Sequence, residues 1–140
     1  MNAPVAQLDR AFGYGPEGCG FKSYRARFFK GGVVVMAIVV FVTIPTKDSE
    51  KLIEKLLNER VCACVNIINN VKSYFWWQGK IDQAQESLLM IKTTDKAFSS
   101  LKKLIKSNHP YQVPEIIAFN IDQGNKDYLD WISQEVKPIL

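Results

Sequence analysis

The chain has 140 residues, 47% hydrophobic and 23% charged, with a formal net charge of +4. That length suits one domain, and the composition is that of an ordinary globular protein. The basic excess gathers ahead of residue 36, where Arg10, Lys22, Arg25, Arg27 and Lys30 outnumber Asp9 and Glu17. The rest interleaves Lys and Glu as a solvated surface, without the basic stripe that nucleic-acid binding requires. The three cysteines, Cys19, Cys62 and Cys64, are odd in number and irregularly spaced. They exclude a disulfide scaffold and fit a reducing cytoplasm.

Residues 1–30 show neither helical nor strand periodicity, and Gly13, Gly15, Pro16, Gly18 and Gly20 interrupt them; a disordered leader is expected over 1–35. Arg25, Arg27 and Lys30 ahead of the apolar run from Gly31 to Val42 resemble the charged and apolar regions of a signal peptide. The run lacks a small-x-small cleavage site and, even when continued through Thr43 and Ile44 to about 14 residues, is too short to span a membrane. It reads better as a buried first strand, Met36 to Thr43. The leader itself resembles the conceptual translation of a transfer-RNA gene, which makes Met36 a candidate start and 36–140 the domain.

Thr46, Asp48 and Ser49 offer helix-capping side chains and first-turn negative charge. Behind them Leu52, Ile53, Leu56 and Leu57 share one face of an amphipathic helix ending near Asn58 to Arg60. A long hairpin follows from Val61 to Thr93, rich in β-branched and aromatic residues, with Trp76-Trp77-Gln78-Gly79-Lys80 at its tip. At roughly 3.3 Å per residue its first arm would reach roughly 55 Å, against a radius of gyration of about 13 Å for a 100-residue domain. The arm must bend, with Asn69-Asn70 the natural bulge, or reach another subunit; both are expected. Exposed aromatics on a ribbon call for cover, which suggests a homo-oligomer.

Thr94-Asp95 begins a second helix with Phe98, Leu101, Leu104 and Ile105 on its apolar face, and Pro110 stops it. Glu115 to Ile121 reads as a strand, Asp122 to Asn125 as a turn, and Tyr128, Leu129, Ile132 and Val136 as a closing helix. The order β-α-β-β-α-β plus a C-terminal helix suits an α+β, ferredoxin-like sandwich: an antiparallel sheet with helices on one face.

No nucleotide-binding, Walker or nucleophile-elbow motif is present. The single histidine, His109, stands on a loop stiffened by Pro110 and Pro114, six residues before Glu115. An imidazole and a carboxylate so placed could hold Cu²⁺ or Zn²⁺, although such a site needs three or four ligands; the plainer reading has the imidazole meeting the last helix carbonyls. Cys62 and Cys64 would share one face of a strand, as two soft Cu(I) ligands or as small buried side chains. Trp76, Trp77 and Trp131 suit an interface or core better than a ligand platform.

Ala63-Cys64-Val65-Asn66-Ile67-Ile68, Tyr74-Phe75-Trp76-Trp77-Gln78-Gly79-Lys80-Ile81, Leu89-Met90-Ile91-Lys92-Thr93-Thr94, His109-Pro110-Tyr111-Gln112-Val113-Pro114-Glu115 and Tyr128-Leu129-Asp130-Trp131 occur in this order. Together they closely resemble the CutA family of divalent-cation tolerance proteins, from about Met36 to Val136. The resemblance implies a ferredoxin-like subunit, similar to the signalling PII proteins, in a homotrimer whose hairpins pair between subunits. It also implies a non-enzymatic, cytoplasmic role in tolerance of divalent cations, copper in particular, with no membrane or nucleic-acid partner. In copper-binding relatives the ligands are a first-strand cysteine and a histidine pair; Val42 and Asn108 stand at two of those positions here, which leaves His109 with Glu115 as the metal pair. A trimeric interaction scaffold and a PII-like small-molecule sensor are the alternatives. With Met36 as the start, the protein made from its native locus is expected to lack residues 1–35; an intact mass that includes them would exclude that start.

Overall fold

The computed structural model describes residues 27–30 and 33–137. Strand β1 (Arg27–Lys30) pairs antiparallel with the first residues of β2 (Val33–Ile44), from Arg27 opposite Met36 to Lys30 opposite Val33. The first strand thus begins at Val33 instead of Met36, because Val33-Val34-Val35 continue its β-branched run. Residues 1–26 and 31–32, most of the expected leader, lie outside the described residues.

Helix α1 (Thr46–Asn58) is followed by strands β3 (Cys64–Trp77) and β4 (Lys80–Thr94), helix α2 (Phe98–Asn108), strand β5 (Ile116–Asn120) and helix α3 (Lys126–Glu135). All pairings are antiparallel: β4 lies between β2 and β3, and β5 flanks β2 on the other side. This is the ferredoxin-like order expected from the element sequence.

The period-two alternation of β2 turns Ile38, Val40, Val42 and Ile44 to one face of the sheet. There they meet Leu89 and Ile91 of β4, Leu52 and Leu56 of α1, and Leu101 and Ile105 of α2. The opposite parity of β2 places Val35 and Ala37 in a second cluster, closed by Leu129, Ile132 and Val136. Helix α3 therefore covers only one end of the second face. Beyond it Ile117 and Phe119 remain exposed, Phe119 at 49% even with Phe41 edge-on at 5.3 Å.

Capping departs from expectation at α1. Its N-cap is Pro45, without a side-chain bond, and the Thr46 hydroxyl bonds Ser87 across the sheet instead. Its C-terminus closes as a Schellman turn, with Arg60 N–H on the Leu57 carbonyl and Val61 N–H on that of Leu56. Arg60 holds the left-handed position at φ 55°, and its guanidinium reaches Glu135 at 2.8 Å, joining the ends of α1 and α3.

The long hairpin bends where expected. Ile68 pairs with Leu88 and Val71 with Glu86, so Asn69 and Asn70 together face Ser87, and Asn70 takes φ 62°. Gln78 (φ 49°) and Gly79 (φ 82°) form the two-residue turn, both left-handed as a type I′ turn requires. Past the bulge the ribbon carries Tyr74, Phe75, Trp76, Trp77 and Ile81 into solvent, with Trp76 73% exposed.

Leu101 is fully buried between α2 and the sheet. Leu101→Ala is expected to cost about 2–5 kcal/mol, read as a lowered urea midpoint at unchanged slope.

Candidate functional site

Helix α2 ends with the Asn108 amide on the Leu104 carbonyl, and the chain then turns extended at His109 (φ −94°, ψ 138°) ahead of Pro110. The imidazole is 9% exposed. Its Nδ1 accepts from the Tyr111 N–H at 3.0 Å, so Nε2 carries the proton and donates to the Thr43 carbonyl at 2.8 Å. Thr43 lies one residue beyond Val42, where the β5 pairing stops; His109 replaces the missing ladder bond and staples its loop to β2.

This geometry bears directly on metal binding. Both ring nitrogens are engaged by backbone, and Glu115 is exposed beside β5. Among the described residues no three His, Cys, Asp or Glu side chains converge on a point where an ion could sit. His109 and Glu115 of one chain, as folded, do not form a metal cage. The imidazole meets the β2 backbone and not the last helix carbonyls.

What His109 does position is Tyr111, whose ring lies 5.0 Å from the imidazole. The Tyr111 hydroxyl hydrogen-bonds to the Glu86 carboxylate; burial first, then that bond and the charges of Glu86 and Asp48, push the phenol up to about 12. Glu86 is a buried residue of β4, opposite Val71 at the edge of the bulge. Beside it runs a chain of hydroxyls and an amide: Thr46 to Ser87 at 2.9 Å, and Ser87 to Asn69 at 2.7 Å. The root of the hairpin is therefore a polar cluster drawn from α1, β3, β4 and the 109–115 loop. Sequence reasoning missed Glu86, which stands one residue before the arm beginning at Ser87. The signal was the bulge itself, since an extra residue on β3 re-aims what faces it.

The two cysteines do not share one face. Cys62 precedes β3 and joins the core cluster with Leu56 and Leu101, where burial, followed by the nearby Cys64, pushes its thiol up to about 12. Cys64 instead meets the Tyr128 hydroxyl on α3, and burial followed by that bond raises the phenol. Trp131 lies against Tyr128 at 5.5 Å, while Trp76 and Trp77 stand out on the ribbon; the three form no common platform.

Residues 38–135 match the family model described as CutA1 divalent ion tolerance protein. The chain is 46% identical over 100 residues to the divalent-cation tolerance protein CutA of Thermus thermophilus, covering 71% of this chain and 97% of that one. It is 40% identical over 116 residues to the chloroplastic protein CutA 1 of Oryza sativa, covering 82% of this chain and 66% of that one. Its fold is similar to the solved structure of the Thermus protein, with a TM-score of 0.71 at 43% identity, over 73% of this chain and all of that one (100%).

The raised Cys62 thiol has a consequence in alkali. The folded state keeps the proton to about pH 12, whereas an ordinary thiol releases it near 9.0. Stability is thus full below pH 9 and is lost as pH rises from 9 towards 12. Cys62→Ala is expected to flatten the first part of that loss, below the ordinary Tyr value of 10.0 at which Tyr111 begins to add its own; urea midpoints across this range check it.

Proposed function

This chain belongs to the CutA1 family of divalent ion tolerance proteins, and from that premise we propose that it is a homotrimeric, non-enzymatic cytoplasmic protein responding to divalent metal ions, copper first. The observation that carries the reading is the match across residues 38–135, together with the name its Thermus relative bears. The working domain contains the matched segment 38–135 and reaches back along β2 to Val33, since Val35 packs in the cluster beneath α3.

Assembly is supported by what the subunit leaves open. The second face of the sheet exposes Ile68, Ile117 and Phe119, and the ribbon exposes Trp76 and Ile81; apolar surface of this kind marks an interaction site. Among the described residues no helix is long and apolar enough to cross a membrane.

For the metal we assign His109 with Glu115, completed by donors from a neighbouring copy. Cu²⁺ heads the divalent affinity order and suits imidazole. The ion must compete with the Tyr111 N–H for Nδ1 or with the Thr43 carbonyl for the Nε2 side, so binding is expected to loosen the loop.

Native mass spectrometry of the full chain, with and without one equivalent of Cu²⁺, tests both halves. The expected species is a trimer that takes up copper, with affinity at least tenfold weaker in His109→Ala. A monomer would refute the assembly; copper uptake unchanged in His109→Ala would remove the loop from the metal reading.

A further inference from the structure

The cluster at the hairpin root contains one group that the described residues do not satisfy. Glu86 is 3% exposed, and its Oε2 atom is buried without a hydrogen-bond partner, a condition native structures seldom leave standing for a carboxylate. The protons nearby are committed elsewhere. Ser87 Oγ donates to Asn69 Oδ1, so the Thr46 to Ser87 bond uses the threonine proton. The Tyr111 hydroxyl already serves Glu86, and the one ring proton of His109 lies on the Thr43 carbonyl. The ion pairs among the described residues, Arg60 with Glu135 and Lys126 with Asp130, join other elements.

Charge narrows what could complete the site. Asp48, in the first turn of α1, acts together with Glu86 on the Tyr111 hydroxyl. Among the described residues neither carboxylate is in an ion pair, and two such carboxylates favour a positively charged donor over a neutral one.

We propose that Glu86 Oε2 receives an N–H of an organic cation, an ammonium or guanidinium group, presented from outside the chain. Such a donor makes a charge-assisted bond to the open oxygen and neutralises the buried carboxylate in one step. It comes either as a free small amine or as a Lys or Arg side chain of a second copy. The site uses neither ring nitrogen of His109 nor Glu115, so it stands apart from the metal reading and survives that reading's failure.

The test titrates methylammonium and methylguanidinium into the full chain with a chelator present, followed by backbone-amide NMR shifts. In parallel, urea dissociation of the assembly is compared between wild type and Glu86→Gln. A free ligand is supported by saturable binding that is at least tenfold weaker in Glu86→Gln, with the assembly unchanged. A second copy as donor is supported when neither probe binds and Glu86→Gln weakens the assembly at least tenfold. No probe binding together with an unchanged assembly overturns the proposal. So does saturable Mn²⁺ binding, measured without chelator and lost in Glu86→Gln, when neither amine binds. Should Glu86→Gln fail to fold, wild-type spectra decide. Saturable shifts of the Glu86, Ser87 and Tyr111 amides, with a probe or on concentrating the chain, support the proposal, and their absence in both titrations overturns it.

Discussion

The structure depends first on the two-sided burial of β2. Its even-numbered residues from Ile38 to Ile44 are sealed by α1 and α2, while Val35 and Ala37 pack beneath α3. Its backbone is hydrogen-bonded to β4 along Ala37–Ile44 and to β5 over Ile38–Val42. A strand flanked on both edges and covered on both faces over part of its length tolerates no register slip, since one residue would carry every apolar side chain to the wrong layer. The other elements are then placed relative to it. His109 extends the same logic past the end of β5, where a ring N–H supplies the donor that the Thr43 carbonyl would otherwise lack.

The second constraint is the two-against-one pairing of Asn69 and Asn70 opposite Ser87. On the core side of this bulge the hairpin belongs to the sheet; on the far side it is a free ribbon. The bulge also leaves the Asn69 side chain reaching Ser87 and the Ser87 hydroxyl reaching Thr46, so the first turn of α1 is tied to the strand. That tie explains why Thr46 does not cap its own helix: its hydroxyl forms a cross-element bond instead, and Pro45 supplies the turn by its fixed φ.

Much of this was legible in the sequence, for physical reasons particular to each element. The apolar spacing of Leu52 and Leu56, and of Leu101 and Ile105, marks helix faces because only the helical period brings those positions together. Gln78-Gly79 and Asn69-Asn70 were readable because left-handed backbone restricts residue choice. The site was legible only in part. His109 could be singled out, but its neutral tautomer and its two backbone partners depend on where β5 ends relative to Thr43, a tertiary fact. Glu86 was opaque because one polar residue in a run of polar residues carries no mark of burial; a bulge on the opposite strand decides it. Cys62 and Cys64 failed as a pair because the strand begins only at Cys64, so the alternation rule does not reach back to Cys62.

The uncovered sheet face and the polar cluster impose different demands on whatever meets them. The face around Phe41, Ile117 and Phe119 is apolar and broad, and it asks for another apolar surface with no particular chemistry. The cluster around Glu86 asks for a single donor with charge and direction. An assembly held only by the first demand could slide, because apolar burial is nonspecific in direction. A directed polar contact at the hairpin root would instead fix one orientation, and a buried polar group is best attested in that role of setting register. In the proposed assembly, strength and specificity would fall to separate surfaces; the aromatic ribbon is legible in the sequence, whereas the uncovered sheet face and the polar cluster become visible only after the chain has folded.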